Sequence, residues 1–113
     1  MIPFRRKASN LRGRILSLLG ITAKAGRLKS GEFASEKAIK NGNAFLAIVA
    51  EDASENTKKH FTEMCSYRDI PLYIYGTKEE LGRCTGKESR AVITLTDEGL
   101  GNNLISVLKE ESR

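Results

Sequence analysis

The segment from residue 27 to residue 50 constrains the fold most, because it places a helix start, a helix stop and an apolar strand in direct succession. Ser30 and Gly31 precede a run with apolar side chains at helical spacing, and the pair Asn41 and Gly42 ends it. The sequence FLAIVA that follows is typical of a buried strand. We therefore expect unpaired N–H groups and the positive dipole end of this helix near Gly31, where they attract phosphate or base acceptors.

Short apolar strands alternate with amphipathic helices along the rest of the chain. We expect a first helix from Asn10 to a stop at Gly26, a very short strand at residues 27–29, and further strands at residues 72–75 and 91–95. This alternation predicts an α/β fold, a three-layer α/β/α sandwich around a small, mixed, mostly buried sheet.

The chain divides into a short arm and one larger unit. Residues 1–9 are expected to form a flexible basic arm, because Pro3 discourages regular structure and the cations at residues 5–7 repel one another. Residues 10–113 are expected to form a single α/β/α domain, since a chain of 113 residues is long enough to bury one core. Within it, Thr77 and Glu80 have the spacing of a helix capping box.

Positive charge is concentrated in the first third of the chain. Of the 19 Lys and Arg residues, eight precede Glu32, the first acidic residue, and the remaining 11 stand against all 14 acidic residues. Such asymmetry indicates a polyanionic partner such as RNA. The alternative interpretation is a solvated basic tail.

Catalytic, metal-binding and cofactor-binding patterns are not recognisable. Residues 82–88 approach a phosphate-binding P-loop, but the first glycine is one position off and an acidic residue replaces the required hydroxyl. Gly99 and Gly101 lack the third glycine of a dinucleotide-binding turn. Cys65 and Cys84 have no C-x-x-C spacing, so buried or inert thiols are expected. We expect a protein without enzymatic activity, cofactor or metal.

The chain has neither an apolar stretch of membrane-span length nor a signal-type pattern after its basic N-terminus. A cytoplasmic location is therefore expected. We also expect a monomer.

The candidate interface combines the helix start near Gly31 with the loop sequence LGRCTGKESR. Glu32 has two equally weighted interpretations: its carboxylate accepts hydrogen bonds from guanine N–H groups, or it pairs with the helix dipole in the first turn. For Phe33, core packing is favoured over stacking on a base. Lys37 follows one turn later as a cation close to the same point.

Three sequence motifs resemble one known family. They are G-x-x-x-x-x-K-A-I at residues 31–39, LAIVAEDAS at residues 46–54 and ELG-x-x-x-GK at residues 80–87. Together with the sequence around them, over roughly residues 11–109, they resemble the kink-turn-binding ribosomal-protein superfamily of the L7Ae and L30e type, in particular its small bacterial YlxQ-like members.

The resemblance implies that the helix beginning near Gly31 enters the widened groove of a kinked RNA at tandem sheared G·A pairs. Gly31 and Lys37 match the family's glycine and lysine. Phe33 and Ala34 stand where the family's best RNA binders have Asn and Glu. The loop expected to close over the extruded nucleotide contains Ser89, Arg90 and Ala91.

The leading hypothesis is a non-catalytic, ribosome-associated RNA-binding protein that recognises structured, kink-turn-like RNA. Gly31, Glu32 and Lys37 are predicted to read the noncanonical pairs. The residues predicted to hold phosphates are Lys24, Arg27, Lys29, Lys40, Lys87 and Arg90. One alternative is a protein-interaction adaptor that docks its basic face on an acidic or ribosomal partner, and another is a substrate-recognition domain separated from an RNA-modifying enzyme.

Overall fold

A computed structural model describes residues 3–111, with side chains from residue 11 onward. Five helices and four strands alternate in this part of the chain. In order, they are α1 (Pro3–Lys24), β1 (Leu28–Ser30), α2 (Glu32–Lys40), β2 (Leu46–Val49), α3 (Glu55–Tyr67), β3 (Leu72–Ile74), α4 (Lys78–Cys84), β4 (Val92–Leu95) and α5 (Glu98–Glu111).

The start of α1 differs from the sequence prediction. The helix begins at Pro3, so residues 3–9, which were predicted to form a flexible arm, are helical, and the predicted start at Asn10 is wrong. Proline suits the first position of a helix because its fixed φ is helical and its missing N–H would have no partner there. The lysine, arginines and alanine that follow are good helix formers. Met1 and Ile2 lie outside the described residues.

The strands form one mixed sheet in the order β1-β4-β2-β3. Strand β4 pairs antiparallel with both β1 and β2, whereas β2 and β3 are parallel. Helix α1 packs against α4 and α5, while α2 packs against α3, so the helices form two layers. The predicted α/β/α sandwich with a small mixed sheet is confirmed.

The core lies between these layers. The central strands β2 and β4 are fully buried along their length. Buried side chains from the helices complete one hydrophobic cluster with the sheet; among the largest are Ile15, Leu19, Ile39, Phe61, Leu81 and Leu104. Such a cluster explains how a chain without tryptophan holds two helical layers against one sheet.

Pairing of β1 with β4 brings two distant segments together. Ser30 lies opposite Ile93 in the antiparallel register, and the N–H of Gly31 donates to the carbonyl of Val92 at 2.8 Å. Consequently, the start of α2 lies in space beside the start of β4 and next to the loop that precedes this strand. The sheet register therefore assembles both parts of the candidate interface at one edge.

Candidate nucleic-acid interface

Helix α2 begins at a backbone conformation that only glycine adopts readily. Gly31 precedes the helix with φ 98° and ψ 160°, and no side chain caps its first turn. The carbonyl of Gly31 accepts the first helical hydrogen bond, from the N–H of Ser35 at 3.0 Å. The first-turn N–H groups thus have no side-chain acceptor, which makes this end of α2 suited to an anion or a base acceptor.

Arg90 lies beside this helix end. Its Nε donates to Ser30 Oγ at 3.4 Å, and its NH1 donates to the carbonyl of Ser89 at 2.7 Å. Its backbone N–H donates to the carbonyl of Lys78 at 3.0 Å, which anchors the loop to α4. The guanidinium and the helix N-terminus both favour a negatively charged ligand, while the Glu32 carboxylate in the first turn offsets part of this positive field.

A cleft of about 470 Å³ separates α2 from this loop, and we call it the Arg90 cleft. The structure thereby brings together five of the predicted site residues: Gly31, Glu32, Phe33, Ser89 and Arg90. Its lining is completed by Ala91, which was expected in the closing loop, and by Ser30 and Ala34, which were not predicted to contact RNA.

The Glu32 carboxylate is oriented towards α3. Its Oε2 accepts a hydrogen bond from Thr57 Oγ1 at 3.4 Å, and Thr57 is held in turn by Ser54, the N-cap of α3. Glu32 is exposed and lines the Arg90 cleft. The Glu32 side chain therefore contacts the neighbouring helix α3.

Phe33 is 84% exposed, so the favoured interpretation of core packing is wrong. The buried residues of α2 are Ser35, Ala38 and Ile39. In a helix with 3.6 residues per turn, Phe33 lies on the opposite side from these three residues. Helical periodicity alone was therefore a sufficient signal for its exposure.

Phe33 also lines a second cleft, of about 640 Å³, on the side of α2 that faces β1. We call it the Phe33–Phe45 cleft. It contains two predicted phosphate- or base-contacting residues, Lys29 and Lys37. Its remaining lining residues are Gly26, Ala34, Ala38, Asn41, Gly42, Asn43, Phe45 and Thr96.

Phe45 was missed as a surface residue because the predicted strand included it. Strand β2 begins one position later, at Leu46, and leaves the Phe45 side chain 42% exposed. The one sequence signal near Phe45 was the predicted helix stop at residues 41–42, which indicated a turn containing the polar residues Asn41 and Asn43.

The other predicted phosphate contacts lie outside both clefts. Lys24, Arg27 and Lys87 are exposed at the end of α1, before β1 and in the loop after α4. Lys40 is held by α2 itself, because its Nζ lies 2.7 Å from Glu36 Oε2. The Lys40 ammonium, and then His60, lower the pKa of Glu36.

Neither cysteine has the lowered thiol pKa that is typical of a reactive nucleophile. Burial raises the pKa of the Cys65 thiol to about 11, and burial also raises the pKa of Cys84. Between residues 3 and 111, no three His, Cys, Asp or Glu side chains are grouped as metal ligands. In the same part of the chain, no helix combines the length and apolarity needed to cross a bilayer.

Comparison with known proteins adds a sequence relationship to this geometry. Residues 13–105 match the profile of the ribosomal protein L7Ae/L30e/S12e/Gadd45 family. An RNA-binding protein YlxQ from Bacillus subtilis (strain 168) is 43% identical over 91 residues, which cover 80% of this chain and 91% of that protein. The large ribosomal subunit protein eL8 of Halobacterium salinarum (strain ATCC 29341 / DSM 671 / R1) is 35% identical over 81 residues, covering 71% and 68% of the two chains.

Solved structures share the fold. A Bacillus halodurans C protein described as having unknown function superimposes with a TM-score of 0.81 at 38% identity, covering 84% of this chain and 96% of that one. The Giardia lamblia 15.5kD RNA binding protein gives a TM-score of 0.75 at 24% identity, with 91% and 88% coverage. At that identity, the second likeness establishes the common architecture alone.

Proposed function

The chain belongs to the ribosomal protein L7Ae/L30e/S12e/Gadd45 family, and we propose that it is a non-catalytic RNA-binding protein that recognises structured, kink-turn-like RNA. The family relationship supports RNA binding without catalysis, since the relatives named above are an RNA-binding protein and a ribosomal protein. The observation that carries the proposal in this chain is the Arg90 guanidinium beside the uncapped N-terminus of α2.

In this proposal, the Arg90 cleft holds the distorted part of the RNA. Arg90 and the first-turn N–H groups of α2 bind phosphate or base acceptors, and Ser89 closes the opposite wall. Gly31 allows close approach of the RNA because it has no side chain. Lys37 approaches from the next turn, and Lys29 contributes positive charge from β1.

The outlying cations contribute through long-range attraction. Lys24, Arg27 and Lys87 are exposed and attract the RNA backbone without selecting its sequence. We assign Lys40 a smaller part, because Glu36 partly neutralises it. In this proposal, residues 10–113 contain the RNA-binding unit, and the protein is monomeric, cytoplasmic and associated with the ribosome.

Binding to a kink-turn RNA and to a plain duplex of equal length, measured over a range of salt concentrations, tests the proposal. We expect tighter binding to the kink-turn at every salt concentration and weaker binding to both RNAs as salt rises, because phosphate contacts release counterions. Equal affinity for both RNAs contradicts kink-turn recognition. Absence of binding even at low salt contradicts RNA binding itself and favours a protein partner.

An arginine pair locates the interface. Arg90→Gln is expected to weaken kink-turn binding by about 1–2 kcal/mol, because it removes a charged hydrogen-bond donor from the Arg90 cleft. Arg83→Gln is the matched control: Arg83 belongs to the loop sequence predicted as part of the interface, but it is exposed on α4, pairs with Glu79 at 3.0 Å and lines neither cleft. Equal losses in the two variants would remove the Arg90 cleft from the RNA interface.

A further inference from the structure

We propose that the Phe33–Phe45 cleft is a binding site for an unpaired nucleotide that adjoins the structured part of the same RNA. This inference rests on the proposed function and adds a second subsite to it. The cleft is about 640 Å³, within the range of roughly 300–1,000 Å³ that is typical of small-ligand sites. It therefore has room for a nucleotide.

The aromatic side chains provide the first argument. Three phenylalanines have described side chains: Phe61 is fully buried, whereas Phe33 and Phe45 are 84% and 42% exposed and line the same cleft. Neither of these two rings is packed in a ring contact within the described residues. Exposed aromatic rings stack readily on unpaired bases, because every base has a π-face.

The charge of the cleft provides the second argument. Lys29 and Lys37 line it, no aspartate or glutamate does, and neither lysine forms an ion pair with another described residue. An aromatic surface beside unpaired ammonium groups complements a base attached to a phosphate. The side chains of Asn41, Asn43 and Thr96 add the donors and acceptors that a base edge requires.

Continuity with the Arg90 cleft provides the third argument. Phe33 and Ala34 line both clefts, so the exposed ring of Phe33 stands at the boundary between them. An RNA strand that leaves the Arg90 cleft therefore reaches Phe33 directly. A side chain that recognises base pairs from this position would be polar. Phe33 is aromatic, so we assign it a different role in the same helix turn, which is stacking on an unpaired base.

Two sets of RNA test the inference. The unextended kink-turn RNA measures the proposed function, and the same RNA with about four unpaired uridines added at either end measures the second cleft. We expect an extension to strengthen binding of the wild-type protein about tenfold, the scale of one base–aromatic stack. Phe45→Leu should remove this gain while leaving affinity for the unextended RNA unchanged, and Lys29→Gln should reduce the gain.

Tyr67→Leu is the matched control, because Tyr67 is also 84% exposed but lies at the end of α3, away from both clefts. This variant should retain the full gain. Ultraviolet crosslinking of the extended RNA, followed by peptide mass spectrometry, should place the crosslink within residues 33–45.

The outcomes separate the two proposals. If neither extension strengthens binding while the kink-turn still binds better than duplex, the second cleft is refuted and the proposed function stands. If duplex and kink-turn bind equally but the extension gain persists and depends on Phe45, kink-turn recognition fails and the second cleft stands. A gain in affinity that survives Phe45→Leu overturns the assignment of the second cleft. Sedimentation analysis that finds a dimer of the wild-type protein but a monomer of Phe45→Leu also overturns it, because Phe45 would then contact a second copy of the chain.

Discussion

The N-termini of α2 and α4 are built in opposite ways. At α4, Thr77 Oγ1 accepts from the N–H of Glu80 at 3.1 Å, and Glu80 Oε1 accepts from the N–H of Thr77 at 3.0 Å. Arg12 then donates to the same Glu80 oxygen at 2.6 Å. At α2, Gly31 supplies no side-chain cap, and the cation Arg90 lies beside it. Glu32 is in the first turn, but its carboxylate accepts a hydrogen bond from Thr57 on α3 and does not cap α2.

This difference separates a helix end that stabilises the fold from one that remains available to a ligand. A carboxylate at a helix N-terminus satisfies N–H groups and complements the dipole, whereas a guanidinium there does neither. The first-turn N–H groups of α2 therefore have no side-chain cap and remain available to an acceptor on a ligand. The following changes test whether the two ends differ in this way.

The largest effect is expected where α4 supports the loop that carries Arg90. A methyl group added at Gly82 would lie 2.6 Å from the Ser89 backbone nitrogen and 2.8 Å from the Glu88 carbonyl carbon. Because backbone atoms must move, Gly82→Ala is expected to lower the free energy of unfolding by about 3 kcal/mol and to weaken RNA binding. Urea unfolding and RNA titration of the same variant measure both effects.

Gly13→Ala is the control for that substitution, since its added methyl group meets no atom within 4 Å. It should raise the free energy of unfolding by up to about 1 kcal/mol, because alanine favours a helix interior. Wild-type stability and RNA affinity in Gly82→Ala would show that the loop is not seated on α4.

Gly31→Ala tests the open end directly. The positive φ of Gly31 is unfavourable for alanine, so we expect a loss of about 2 kcal/mol in the free energy of unfolding. RNA affinity should also fall under conditions where the variant is fully folded, because relief of the strain displaces the first turn of α2. Unfolding curves and binding isotherms at the same temperature test this result, and an unchanged affinity would argue that this turn does not touch RNA.

Thr77→Ala tests the closed end. Removal of the cap is expected to lower the free energy of unfolding by about 1 kcal/mol. RNA affinity of the folded variant should remain at the wild-type value, since Thr77 lines neither cleft. A large loss of RNA affinity would mean that α4 participates in recognition and that the two ends are not separate in function.

The smallest expected effect concerns the titration of Glu80. The hydrogen bond from Arg12, and then that from the Thr77 N–H, lower the pKa of Glu80. A lowered folded-state pKa stabilises the protein above the unfolded-state pKa, and this contribution is lost as pH falls through the folded-state value. Glu80→Gln should therefore be about 0.5 kcal/mol less stable than wild type at pH 7, with the difference closing below about pH 4.

Urea unfolding across that pH range, with Glu79→Gln as the exposed control, measures the Glu80 contribution. A stability difference that stays constant from neutral to acidic pH would show that the charge of Glu80 does not matter to the cap.

Local structure was predictable wherever neighbouring residues determine it. The stop of α1 at Gly26, which has φ 72°, and the capping box of Thr77 and Glu80 depend on residues within one turn. The layered architecture followed from the alternation of periodic segments. The start of α1 was missed because Pro3 was interpreted as a helix breaker, although proline is favourable at the first helical position.

The candidate interface was predictable only in part. The sequence indicated Gly31 and Arg90, but their proximity depends on pairing of β1 with β4, and the strand order could not be predicted from local patterns. Helical periodicity predicts that Phe33 is exposed. The sequence interpretation gave more weight to the general preference of phenylalanine for the core, and was wrong for that reason. Phe45 was missed because a strand boundary moved by one residue.

The bond from the Gly31 N–H to the Val92 carbonyl makes one amide hydrogen a reporter of interface assembly. It joins segments far apart in sequence, so it forms only after the intervening chain has folded back and β1 has joined the sheet. Exchange of this amide with deuterium should therefore follow opening of the β1 edge. If this strand frays before the rest of the sheet, the protein loses its binding geometry while most of its core is still intact.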